Sequence, residues 1–192
     1  MAASPYRPPA KRKTLAGIIG ALAASILLVS VPAEESGRTV TATIATDGTA
    51  TVRHVAGRQY LDAYLDIVGV ATACDGITKG VRMGQRYTEA RCAELLEDEL
   101  VAHAEPLLAC VPQLKAPGRD RVRAAAISWA YNVGTAAACG STAAKLWRAG
   151  DVAGGCRAML RWDKAGRPPR VVRGLAARRA REVKLCLTGL AA

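Results

Sequence analysis

The clearest chemical signal is one aspartate and one threonine. Asp66 and Thr72 stand in Asp66-Ile67-Val68-Gly69-Val70-Ala71-Thr72, on either side of Gly69. A glycine there permits a chain reversal, which returns the Thr72 hydroxyl toward the Asp66 carboxylate across two short strands. A carboxylate and a hydroxyl held together can bind and activate a water. A turn aspartate beside a threonine also makes purely local hydrogen bonds, so the spacing alone leaves both readings open. Most other acids are less pointed. Glu94, Glu97, Asp98 and Glu99 form a charge run of the kind that covers a solvated helix face. The six cysteines are widely spaced with no Cys-x-x-Cys pair, so neither a zinc site nor a dithiol redox motif is expected, and no cofactor is implied.

The elements that must position this pair are mixed, then helical. Residues 60–88 hold short apolar runs broken by Gly69, Gly76, Gly80 and Gly84, the pattern of short strands and turns. Thr88 is a good N-cap, and Cys92, Leu95, Leu96, Leu100 and His103 follow at helical spacing, with Pro106 near the expected end. Further helices are expected over Arg119–Val133, from Ser141 or Thr142 to Gly150, over 152–164 behind an Asp151 cap, and over about Leu175–Leu187. Only eight residues are Trp or Tyr and none is Phe, so the core must be mostly Ala, Leu and Val, which favours close-packed helices. The fold class expected is α+β, a small antiparallel lobe followed by a helical lobe.

The N-terminus has a different composition. Lys11, Arg12 and Lys13 precede an uncharged stretch from Thr14 to Ala33, and Glu34 and Glu35 close it. This is the layout of an export signal, with 1–13 left in the cytoplasm. About 20 residues is just enough to span a bilayer. Val31-Pro32-Ala33 carries small residues where signal peptidase reads, so a cleaved signal and a retained anchor are both open. The stretch is weakly apolar, diluted by Gly17, Gly20, Ser25 and Ser30, and a weak span can enter a membrane and later leave it. A buried core helix is the less expected reading, given the basic flank and acidic stop. Residues 34–53 read as a linker with a weak hairpin around Asp47-Gly48, and the folded domain is expected to begin near His54. Export also favours disulfides for the even set of Cys74, Cys92, Cys110, Cys139, Cys156 and Cys186, whose pairing the sequence leaves open.

The charge balance is 27 Lys and Arg against 16 Asp and Glu, a net +11. Nucleic acid, anionic cell wall and anionic membrane could each accept that charge. An exported chain does not meet nucleic acid. Arg167, Arg170, Arg173, Arg178, Arg179 and Arg181 could equally lie against wall or membrane.

Residues 63–78, Ala-Tyr-Leu-Asp-Ile-Val-Gly-Val-Ala-Thr-Ala-Cys-Asp-Gly-Ile-Thr, resemble the catalytic hairpin of the phage-type lysozymes, glycoside hydrolase family 24. Gly80–Gly84 with Tyr87-Thr88 resembles the lead into that family's long helix. Ser128-Trp129-Ala130-Tyr131-Asn132-Val133-Gly134 resembles its Ser-x-x-x-Asn-x-Gly helix end. Trp162–Gly166, Gly174-Leu175, Arg178-Arg179 and Glu182 resemble its C-terminal signature. The likeness covers residues 54–190, and the N-terminal stretch resembles the signal-anchor-release segment of one endolysin branch. It implies a lysozyme-like fold over 54–192 and hydrolysis of the β-1,4 bond between N-acetylmuramic acid and N-acetylglucosamine for host lysis. It also implies peptidoglycan as partner, contact with the inner membrane through 14–33, residence there or in the periplasm, and a monomer.

The catalytic set implied is a Glu general acid with an Asp and a Thr, of which Asp66 and Thr72 match the last two. The family's Glu-Gly falls on Gly57, or on Ala56-Gly57 if one residue is inserted, and neither position carries a carboxyl. The chain then is a glycan binder without turnover, or draws its proton from another group such as His54, Asp62 or Asp75. The ordinary readings of these three are a linker residue, an exposed helix residue and a turn former. On this alignment a glutamate at 56 or 57 is expected to raise turnover at least about tenfold.

Overall fold

The structure is a computed structural model that describes residues 13–66 and 69–190. Lys11 and Arg12 of the basic flank, and Ile67 and Val68 of the hairpin motif, lie outside the described residues.

The stretch read as an export segment is part of the fold. Thr14 caps α1 (Leu15–Ile19) by accepting from the Gly17 N–H, and the Leu15 N–H donates to the Glu97 carboxylate at 2.9 Å. Gly20, at φ +87°, breaks the helix and turns the chain into α2 (Ala21–Glu35). That conformation belongs to glycine, because a side chain's Cβ clashes there. Leu15, Ile19, Ala23, Ala24, Leu27, Leu28 and Val31 of this pair are buried at 0–1% exposure. They join one core with the two long helices α3 (Glu89–Cys110) and α4 (Asp120–Val133). The core therefore begins at Leu15 and not near His54.

The stretch read as a linker holds the end of α2 and then a hairpin over residues 39–56, which turns at Asp47-Gly48. Strand β1 (Thr39–Ile44) pairs antiparallel with β2 (Ala50–Ala56), and Val40 and Val52 face the core. Strands β3 (Tyr64–Leu65) and β4 (Ala71–Thr72) make a second hairpin, with Tyr64 opposite Thr72. A small core of Ala73, Cys74, Ile77, Val81 and Cys92 lies behind it. A third hairpin, β5 (Lys164–Ala165) with β6 (Arg170–Val171), precedes the last helix.

The helices follow the periodicity with three differences. Helix α3 continues through Pro106 to Cys110. A short helix, α5 (Thr135–Gly140), follows the Gly134 stop, and α6 (Thr142–Arg148) then starts on a Ser141 cap. Helix α7 (Val152–Ala158) is shorter than expected. It tightens into a 3₁₀ turn that brings Trp162 edge-on to Trp129 at 5.6 Å between centroids. Helix α8 (Arg173–Thr188) closes the bundle.

All six cysteines are paired, as Cys74–Cys92, Cys110–Cys139 and Cys156–Cys186. Each bridge ties one element to another: the β3–β4 hairpin to α3, α3 to α5, and α7 to α8. With partners 18, 29 and 30 positions apart, each should stabilise the chain by about 2–4 kcal/mol. Thiol counting by mass spectrometry on exported protein should find no free cysteine, and reduction should lower the urea midpoint. Six free thiols in folded, exported protein would refute the pairing.

Candidate active site

Asp66 and Thr72 share the second hairpin, as the Gly69 reversal requires. Asp66 organises the turn: its N–H donates to the Val70 carbonyl at 3.0 Å, and its carboxylate accepts from the Val70 N–H at 2.8 Å. Thr72 is buried, and its hydroxyl donates to the Val70 carbonyl at 3.0 Å. The hydroxyl oxygen keeps lone pairs with which it can accept from a water.

Beyond the hairpin, Asp75 is an anchor. Its carboxylate is 1% exposed and takes two hydrogen bonds from the Arg38 guanidinium, at 3.0 and 2.6 Å. The Ser36 hydroxyl lies 2.8 Å from the same carboxylate and 2.9 Å from the Pro32 carbonyl. Asp75 is thus a buried structural ion and not a free acid. It fastens the end of α2, where Ser36 is the C-cap, to the base of the Asp66–Thr72 hairpin.

The last residues of α2 are Glu34 and Glu35, and both are seized by α8. Arg178 donates to Glu35 at 2.7 Å, and Arg181 makes two 2.6 Å bonds to Glu34. The hydrogen bonds from Arg181 pull the Glu34 carboxyl below its ordinary value against its partial burial. Behind them Glu182, 4% exposed, is met by Arg178, Arg179 and the Ser128 hydroxyl. Burial pushes the Glu182 carboxyl up, and the two guanidiniums and the hydroxyl counter it. The Arg-Arg-x-x-Glu signature of α8 is therefore a cluster that carries Arg178 to Glu35. Tyr131, its ring tilted against His103 at 4.9 Å between centroids, feels the charge of Glu35 at the end of α2. Burial raises its phenol above the ordinary value, and the charges of Glu35, Glu99 and Asp75 raise it further, so it stays protonated.

The other sequence candidates lie apart from this arrangement. Asp62 is exposed and pairs with Arg86 at 3.5 Å. His54 lies within β2, and its N–H donates to Glu89. Ala56 is exposed on β2. Gly57 has φ +90°, and a Cβ there would stand 2.9 Å from the Gly37 carbonyl oxygen. That close approach shows the β1–β2 hairpin closing on itself, with residues 37 and 57 side by side. Glu35 stands just before that closure, on the hairpin's upstream side. It is separated from Asp66 in sequence by the β1–β2 hairpin, whose two ends meet at residues 37 and 57. Sequence reading did not single it out, although Glu34-Glu35-Ser36-Gly37 offers an acid and a glycine at a helix end. Among the described residues there is no His, Cys, Asp and Glu cluster that could hold a metal ion.

A helical bundle beside small antiparallel hairpins is a lysozyme-like fold. A family profile described as Phage lysozyme matches residues 56–182. The SAR-endolysin of Enterobacteria phage P21 is 33% identical over 185 residues, 95% of this chain and 98% of that protein. Among solved structures, the endolysin from Escherichia coli O157:H7 phage FAHEc1 superposes with a TM-score of 0.60 at 27% identity, covering 84% of this chain and 90% of that one. The active form of the P1 phage endolysin Lyz gives 0.60 at 27% identity, covering 68% and 77%. The chain belongs to the phage lysozyme family.

Proposed function

We propose that the chain is an exported peptidoglycan muramidase of the endolysin type, with Glu35 as its general acid. The single observation that carries this reading is the position of Glu35. It sits at the end of α2, oriented by Arg178, while its neighbour Ser36 is bonded to the base of the Asp66–Thr72 hairpin.

Cleavage of the β-1,4 bond between N-acetylmuramic acid and N-acetylglucosamine leaves a sugar alkoxide unless the bridging oxygen gains a proton. Glu35 supplies that proton as the glycosidic bond breaks. Asp66 faces the electron-poor anomeric carbon, and Thr72 helps hold the water that adds to it. The water's proton passes to a carboxylate, so the products are two neutral sugar ends.

Export and tethering rest on α2. Ahead of Glu34 its outward side carries no charge: Leu22 is 54% and Val29 37% exposed. An ordinary surface helix places Lys or Glu on that side. No helix among the described residues is long and apolar enough to cross a membrane. Straightened at Gly20, Thr14–Ala33 becomes one uncharged run of bilayer length.

Turbidity loss of outer-membrane-permeabilised cells tests the reading. The unmodified chain should lyse them. Ala56→Glu should give no gain, because that side chain stands exposed on a strand. Gly57→Glu should reduce lysis, because its backbone conformation and contact with Gly37 exclude a side chain. A chain that sediments with purified sacculi but never lyses them would be a wall-binding protein instead.

A further inference from the structure

Most of the net positive charge stands in the last quarter or so of the chain. From Arg157 to Lys184 the sequence holds ten Lys and Arg against Asp163 and Glu182. Arg178, Arg179 and Arg181 are taken by Glu35, Glu182 and Glu34. The others, Arg161, Lys164, Arg170 and Lys184 among them, are exposed and form no ion pair among the described residues.

Aliphatic side chains stand among these cations. Leu160 is 45%, Val171 58% and Val172 40% exposed. Leu160 borders two hollows. One, about 560 Å³, runs along α8 past Ala180, Val183 and Leu187 to Lys184. The other, about 410 Å³, is lined by Arg161 and Lys164 with Asp163 between them in sequence. Lys164 pairs directly with Val171 across the β5–β6 hairpin, so their side chains share a face. Leu160, Lys164 and Val171 thus belong to one surface on which aliphatic and cationic side chains stand side by side.

We propose that the β5–β6 hairpin and the adjoining face of α8 dock on an anionic phospholipid bilayer. Phosphate headgroups match the unpaired Lys and Arg, and the aliphatic groups enter the boundary between headgroup and acyl chain. A nucleic acid or a wall polymer would use the cations and leave the aliphatic side chains in water. The surface exists with Thr14–Ala33 packed in the core, so it is distinct from that segment. It does not depend on the assignment of Glu35.

The test is sedimentation of the full chain with vesicles of phosphatidylethanolamine and phosphatidylglycerol, and with phosphatidylcholine vesicles. Binding should require phosphatidylglycerol and weaken as salt is raised. The triple variant Arg161→Glu, Lys164→Glu, Arg170→Glu should bind at least about a hundredfold more weakly, since each cation near an anionic surface contributes roughly fivefold. Leu160→Asp with Val171→Asp, which keeps every cation, should cost at least about tenfold. Lysis of purified sacculi should be unchanged in both variants, which also shows that they fold. Three results would overturn the proposal. One is vesicle binding that persists in both variants, which would trace it to the N-terminal segment. Another is equal binding to phosphatidylcholine. The third is a loss in the charge variant alone, accompanied by loss of sacculus binding, which would mark a general polyanion surface.

Discussion

Glu35→Gln should abolish lysis of permeabilised cells while leaving the protein folded. Glutamine keeps the shape and can still accept from Arg178, but it cannot give up a proton to the glycosidic oxygen. The loss should be about 10²–10⁴-fold, the typical contribution of a positioned general acid. Stability should change little, because only one of the carboxylates around Arg178 is neutralised and Glu182 still faces that guanidinium. Glu34→Gln is the matched control. It stands one residue earlier and loses its bidentate bond to Arg181, yet it supplies no proton and should keep most activity. Equal losses in the two variants would mean that both act only by docking α2. Full activity in Glu35→Gln would move the acid elsewhere. The readout is the initial turbidity slope, with a thermal melt beside each variant.

Why this glutamate escapes a reading of the sequence is a matter of geometry. The Asp66–Thr72 hairpin is local, so one glycine and six positions of spacing foretell it. Helices α4 and α8 are likewise written in apolar residues at helical spacing. Glu35 instead meets its partners across 143 positions, through Arg178, and across 39, through Ser36 and Asp75. The β1–β2 hairpin is inserted between it and Asp66. A count of residues backward from Asp66 therefore arrives on the far side of that hairpin, at Gly57. The N-terminal stretch is hidden for another reason. An uncharged run of Leu, Ile, Val and Ala satisfies a bilayer and a protein core equally, because both solvents are apolar. What separates them is the receiving surface. Here it includes Glu97 at the start of α1 and Arg178 and Arg181 at the end of α2. Those contacts exist only in three dimensions. Helix α7 stops early for a similar reason, since the turn after it carries Trp162 onto Trp129.

Removal of residues 1–33 should leave a protein that neither folds stably nor lyses cells. Leu15, Ile19, Leu27, Leu28 and Val31 are all at 0–1% exposure. At about 1.5–3 kcal/mol each, their burial contributes roughly 8–15 kcal/mol. That matches the whole net stability of an ordinary domain, about 5–15 kcal/mol. The truncated chain would also expose the α3 and α4 surfaces that these residues cover, and Glu35 would lose the helix that aims it. Retention follows: active exported protein should run at full length and keep its N-terminal segment on Edman sequencing. A mature, lytic form that starts at Glu34 would refute this account of the core. The same residues cannot lie in lipid and in the core at once. If Thr14–Ala33 spans a bilayer, the rest of the domain lacks one wall of its interior and the support for Glu35. Membrane-fractionated protein should therefore be far less lytic per molecule than the soluble form, and more open to protease at α3 and α4. Equal specific activity in the two fractions would show that the domain folds without α1 and α2, and that the acid needs neither.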